Sequence, residues 1–129
     1  MKVYSGNEIR NVALAGHNDT GKTTLVSQLL FNAGAVTRLG RIEDGTTVTD
    51  FDPDEIERKH SISAAIAYAE WKNAKINLLD TPGFGIFLME SRAAMRVAAP
   101  AVKRRCDTSV VLPVSLWPAS ATLRISFPE

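Results

Sequence analysis

Apolar and polar positions along the chain alternate in blocks that predict a short series of strands and helices. Asn11-Val12-Ala13-Leu14-Ala15 is a brief apolar run closed by Gly16, which reads as a buried strand. After Gly21, the residues Leu25, Val26, Leu29, Leu30 and Ala33 recur at helical spacing, and Gly34 stands where a helix C-terminus favours glycine. Residues 61–70 mix apolar and small side chains and read as a second strand. Trp71-Lys72-Asn73-Ala74 suits a hairpin turn. Ile76, Leu78 and Leu79 form a third strand ending at Asp80. Residues 86–98, rich in Ala, Met and Leu without Gly or Pro, suit a helix in which Met89 and Met95 read as core filler. The expected order is strand, helix, long loop, strand, strand, helix, an α/β arrangement.

Composition sets the scale. With 129 residues, 45% of them hydrophobic and 22% charged, the chain suits one domain or most of one. A net charge of +1 supplies no field that would draw in nucleic acid or a membrane surface, and Lys103-Arg104-Arg105 is too short a basic run to change that. No membrane partner and no direct sequence-specific nucleic-acid binding are expected. A single cysteine, Cys106, excludes an internal disulfide framework and a cysteine-rich metal site. The N-terminal residues lack the apolar core of a signal peptide, so the expected address is the cytoplasm.

The composition is uneven. All eight glycines lie at or before Gly85, while four of the six prolines fall in the last 31 residues. Seven of the fourteen acids lie between Glu43 and Glu57, marking 38–58 as an acidic connection between two ordered stretches.

The sharpest chemical signal is Gly16-His17-Asn18-Asp19-Thr20-Gly21-Lys22-Thr23, followed by Thr24. Two glycines, then Lys and Thr, at these positions form the pattern of a phosphate-binding loop, and a strand before it and a helix after it supply the context the pattern needs. The glycines let backbone N–H groups converge on phosphate, and the helix start adds its dipole. Lys22 suits the phosphates as a mobile charge, and the Thr23 hydroxyl suits Mg²⁺. Four fixed positions match by chance in a chain of this length about 1% of the time.

Asp80-Thr81-Pro82-Gly83 closes the third strand. Taken alone it reads equally as a turn. At a strand tip facing a phosphate loop, Asp80 is a candidate for the Mg²⁺ shell, and Gly83 lets a backbone N–H approach a phosphate closely. Ser61, at the end of the acidic connection, is a candidate third contributor to the cation. Spacing alone favours the plainer reading, a solvated acidic face with Ser61 opening a strand.

Together these motifs resemble the start of the GTP-binding domain of a translational GTPase, with bacterial elongation factor G or an elongation-factor-G-like protein the nearest likeness. Gly16 to Leu25 resembles the family's Gly-His-x-Asp-x-Gly-Lys-Thr-Thr-Leu. Asp44 to Asp50, continued by Glu57-Arg58, resembles its first switch loop, Asp80 to Gly83 its third motif, and Ser91 to Ala98 its second switch helix. The resemblance implies a P-loop NTPase fold, GTP/GDP and Mg²⁺ as ligands, the ribosome as partner, and GTP hydrolysis coupled to translocation or ribosome disassembly. It implies nucleotide contacts from Gly16, His17, Asn18, Asp19, Thr20, Gly21, Lys22, Thr23, Thr24, Asp80, Thr81, Pro82 and Gly83. It implies Mg²⁺ contacts from Thr23, Ser61 and Asp80.

Three departures accompany the resemblance. Phe84 stands where the family carries the His that orients water, and a phenyl ring has neither donor nor acceptor. The family's Arg-Gly-Ile-Thr-Ile is here Arg58-Lys59-His60-Ser61-Ile62. The family's guanine-reading Asn-Lys-x-Asp does not occur in these residues. Residues 1–98 are therefore read as a partial GTP-binding domain with an incomplete doubly wound sheet, in which a strand edge is left exposed. Residues 99–129 are read as an atypical tail, disordered or in a shifted frame, because Ala99-Pro100-Ala101-Val102 replaces the apolar fourth strand expected there.

Overall fold

The computed structural model describes residues 2–98 and the backbone of 109–113. Its elements in chain order are β1 (Ile9–Ala15), α1 (Lys22–Asn32), α2 (Pro53–Arg58), β2 (Ala65–Trp71), β3 (Ala74–Asp80), α3 (Leu88–Ala98) and β4 (Ser109–Pro113), with 3₁₀ turns at Gly6–Glu8 and Gly85–Phe87. The strands form one sheet in the order β2-β3-β1-β4. β1 runs parallel to both β3 and β4, and β2 pairs antiparallel with β3.

The apolar run of β1 follows from its place in the middle. Val12 and Leu14 face α1, packing with Val26, Leu30, Leu78, Ala67 and Ala69. Ala13 faces the opposite way and packs with Leu79, Ala94 and Ala98 of α3. A strand covered on both faces has no polar side to present, so alternation disappears from its sequence. The α3 face is built from small residues, and Ser91, Ala94 and Ala98 are its buried positions. Met89 lies off that stripe and is 70% exposed, so the expectation that it fills the core is corrected.

Helix ends follow their local signals. At the end of α1, Gly34 has φ +70°, its N–H donates to Phe31 O at 3.0 Å, and Ala35 N–H donates to Leu30 O at 2.9 Å. This is a Schellman closure, which needs the left-handed residue that Gly34 supplies. The hairpin between β2 and β3 turns at Lys72, whose φ is +53°.

Two elements were not foreseen. The acidic connection carries a helix, α2, because Asp52 caps it by accepting from Asp54 N–H at 2.9 Å and Pro53 occupies its first turn. The strand missing after Ala98 is found at Ser109–Pro113, where Ser-Val-Val-Leu supplies a short β-prone run paired along β1 from Asn11 to Ala15. β1 is thereby flanked on both sides, by β3 and β4, and the sheet edges fall at β2 and β4. Pro113 ends the outer strand, where a missing N–H is tolerated. The remainder of the predicted tail, residues 99–108 and 114–129, lies outside the described residues, as does Cys106. Among the described residues no helix is long and apolar enough to cross a membrane.

Leu30 is 2% exposed in the α1 core, whereas Ile66 on β2 is 72% exposed. Leu30→Ala is expected to lower stability by about 3 kcal/mol through lost burial and a residual cavity. Ile66→Ala is expected to stay within about 0.5 kcal/mol. Urea unfolding of the two variants checks the ranking, and equal losses would contradict this core assignment.

Candidate functional site

The phosphate-type loop spans the gap between β1 and α1. Gly21 reaches φ +83° and Asp19 reaches φ +59°, the left-handed conformations that curl the backbone around the loop. Thr20 Oγ1 donates to His17 O at 2.8 Å and closes the curl. Lys22 folds back into it, its Nζ donating to His17 O at 2.7 Å and Gly16 O at 3.1 Å. The residue is 6% exposed, so burial lowers its pKa, against the opposing pull of Asp80, Asp19 and Asp50. Asp19, His17 and Thr24 are exposed at the loop surface.

The tip of β3 is locked against this loop. Thr81 Oγ1 donates to Leu14 O at 2.7 Å, so its side chain is used in joining β3 to β1. Ser91 Oγ donates to Pro82 O at 3.2 Å and ties α3 to the same turn. Gly83 lies so close to the loop that a Cβ there would come within 2.6 Å of Asn18 Cα and His17 C. Only glycine fits without moving the loop.

Between loop and strand tip lies a cluster of hydroxyls and carboxylates. Thr23 Oγ1 is 3.3 Å from Ser61 Oγ, and Ser61 Oγ donates to Asp50 Oδ1 at 2.7 Å. Thr49 Oγ1 donates to Asp80 Oδ2 at 2.8 Å. The predicted cation residues Thr23, Ser61 and Asp80 are thus gathered in one place by contacts from four chain segments. Asp50 Oδ2 and Asp80 Oδ1 are buried without a hydrogen-bond partner among the described residues. Buried carboxylate oxygens of this kind are costly. Two of them beside two hydroxyls form an all-oxygen donor set that suits a hard divalent cation. Asp80, 1% exposed, has its carboxyl pushed up to about 6, mainly by burial, with the Thr23 and Thr49 hydroxyls and the Lys22 charge opposing and Asp50 adding. Asp50 is raised too, again chiefly by burial, while its bond from Ser61 pulls it down.

Asp50 and Thr49 were not singled out from the sequence as site residues. The signal available was their position in the switch-like stretch Asp44–Asp50, but nothing in the spacing says which of its polar residues turn inward. Glu55 was missed as well. It is buried on α2, and its Oε1 accepts from Ile62 N–H at 2.9 Å and Ser63 N–H at 3.0 Å. It therefore holds the backbone that carries Ser61. Phe84, read from the sequence as unable to hold water, packs edge-on against His60 with ring centroids 4.8 Å apart.

Residues 7–103 match the elongation factor Tu GTP-binding domain family. A crystal structure of a protein from Thermus thermophilus superposes with a TM-score of 0.66 at 42% sequence identity, covering 70% of this chain and 14% of that one. A bacterial selenocysteine-specific elongation factor gives a TM-score of 0.48 at 28% identity, covering 67% of this chain and 12% of that one. The chain thus spans a small part of the length of either protein.

The Asp80 carboxyl, near 6 in the fold against an ordinary 3.8, binds its proton more tightly folded than unfolded. Its contribution to stability is full below about pH 4 and is lost as pH rises through about 6, a shift worth on the order of 3 kcal/mol. In cation-free buffer, the stability difference between Asp80→Asn and the unaltered chain is expected to grow in the variant's favour across that window. Urea midpoints from pH 4 to 8 measure it, and parallel profiles for the two proteins would contradict the burial of this charge.

Proposed function

The chain belongs to the elongation factor Tu GTP-binding domain family, and from that premise we propose that it binds a guanine nucleotide with Mg²⁺ as part of a translational GTPase of the elongation-factor-G kind. The observation that carries this reading is the meeting of Thr23, Ser61, Asp50 and Asp80 beside Lys22, with one oxygen of each carboxylate left without a partner among the described residues.

The geometry supports the following roles. Lys22 rests on the loop carbonyls of Gly16 and His17, and phosphate oxygens are better acceptors for its ammonium than neutral carbonyls are. Loop N–H groups and the start of α1 add positive potential at the same place. Thr23, Ser61, Asp50 and Asp80 would hold Mg²⁺, which when bound neutralises phosphate charge. Gly83 leaves room for its backbone N–H at the loop. The Thr49–Asp80 and Ser61–Thr23 contacts join the acidic connection to the cation residues, so that connection registers what occupies the site. Work on the ribosome, in the cytoplasm, and a role in translocation or ribosome disassembly follow from the elongation-factor-G likeness.

Titration of the full chain with fluorescent GDP and GTP in Mg²⁺ tests the reading. Lys22→Ala is expected to weaken binding about 10- to 100-fold through loss of a charge-assisted contact. Unchanged binding in that variant would sink the assignment. Equal competition by ATP and GTP would favour the alternative motivated by the missing Asn-Lys-x-Asp, a phosphate-binding loop without guanine preference.

A further inference from the structure

Hydrolysis of a bound nucleoside triphosphate requires a group that holds water in line with the terminal phosphorus. Phe84, beside the loop, has no atom for this. The chain has two histidines, His17 and His60. His17 is exposed on the loop, with its Nδ1 3.3 Å from Asn18 O. His60 is half-buried and held from several sides.

We propose that His60 supplies the acceptor that orients the attacking water, an inference that rests on the nucleotide-binding reading above. Three observations support it. First, its ring meets Phe84 edge-on at 4.8 Å and 69°, and Phe84 directly follows Gly83, where an added Cβ would come within 2.6 Å of Asn18 Cα in the loop. Second, it directly precedes Ser61, whose Oγ lies 3.3 Å from Thr23 Oγ1 and 2.7 Å from Asp50 Oδ1. The imidazole is therefore linked on both sides to residues that meet the phosphate loop and the cation cluster. Third, its Nδ1 lies 3.0 Å from Arg58 O. A carbonyl only accepts, so Nδ1 carries the proton, and in the neutral ring Nε2 is left with a free lone pair.

The backbone holds this arrangement in place. Lys59 takes φ +57° at the end of α2, and His60 N–H donates to Glu55 O at 3.3 Å. The buried Glu55 carboxylate then fixes Ile62 and Ser63 just beyond. Phe84 becomes the apolar wall against which the imidazole is set, and it contributes no competing hydrogen bond.

In the step itself, a water hydrogen-bonded to His60 Nε2 attacks the γ-phosphorus. A new P–O bond forms from the water oxygen, and the bond between γ-phosphorus and the bridging oxygen breaks. The electron pair of that bond leaves with GDP, and the water proton ends on the released inorganic phosphate. His60 orients and is unchanged at the end.

The test compares the unaltered full chain with His60→Ala, His60→Phe and His60→Gln, measuring fluorescent GTP affinity and single-turnover GTP hydrolysis separately. His60→Phe keeps an aromatic ring against Phe84 but has no acceptor, while Gln restores one. The expected result is unchanged Kd throughout, hydrolysis slowed about 100-fold in the Ala and Phe variants, and partial recovery in Gln. Hydrolysis at the unaltered rate in His60→Phe overturns the proposal, as does an unaltered chain that binds GTP and does not turn it over. Loss of affinity in step with rate also overturns it, because that marks a structural role. Failure of the unaltered chain to bind any nucleotide brings down the underlying reading instead, and the proposal with it.

Discussion

Everything at the loop end of the sheet depends on keeping the Asp80 carboxylate out of water. It sits at the tip of β3 with 1% exposure, one oxygen bonded by Thr49 and the other without a partner among the described residues. An isolated carboxylate in such a place would take up a proton, and its upward shift to about 6 shows how far burial pushes it that way. Lys22 is buried alongside and shifted in the opposite sense by the same cause. Each stays charged more readily because the other is near. The arrangement stores unfavourable solvation that a cation beside the carboxylates and an anion beside the ammonium would relieve.

The scaffold that holds these charges was largely legible. The apolar run of β1, the helical spacing after Gly21, the glycine closing α1, the hairpin at Lys72 and the helix ending at Ala98 all rest on local physics that a sequence expresses directly. The loop motif was legible for the same reason, since its glycines and lysine are required by contacts within a few residues. What escaped were the features set by distant packing. The length of α2 falls below what periodicity reveals, although Asp52-Pro53 marks its start. The inward turn of Thr49 and Asp50 depends on where β3 ends, some thirty residues later. The exposure of Met89 depends on which stripe of α3 meets Ala13 and Leu79, and the small residues of that stripe allow close approach without it.

The mispredicted fourth strand has the same origin. The resemblance places an apolar run directly after Ala98, and Pro100 argues against one there. Residues Ser109–Pro113 take the position instead. The requirement imposed by β1 is for backbone partners on its open side, and any short β-prone segment that reaches it meets that requirement. The match to the family likewise continues beyond Ala98, to residue 103.

How the acidic connection attaches to the core explains why it would respond to a ligand. Its large apolar side chains do not anchor it: Phe51 is 72% exposed and Val48 46% exposed. Besides the edge-on packing of His60 on Phe84, the contacts that hold it at the cation cluster are polar, namely Thr49 to Asp80 and Ser61 to Thr23, with Ser61 and Asp50 bonded to each other inside the segment. Each such bond is worth about 1 kcal/mol net, so the attachment amounts to a few kcal/mol, far less than an apolar core contact surface of the same extent. Every one of these bonds ends on a group that a cation would also use. Occupancy of the site therefore competes with or reinforces the whole attachment at once. A segment fixed by buried leucines would lack that sensitivity. With hydroxyls and carboxylates at the junction, the position of residues 38–63 would depend on what the loop holds under the nucleotide-binding reading proposed above.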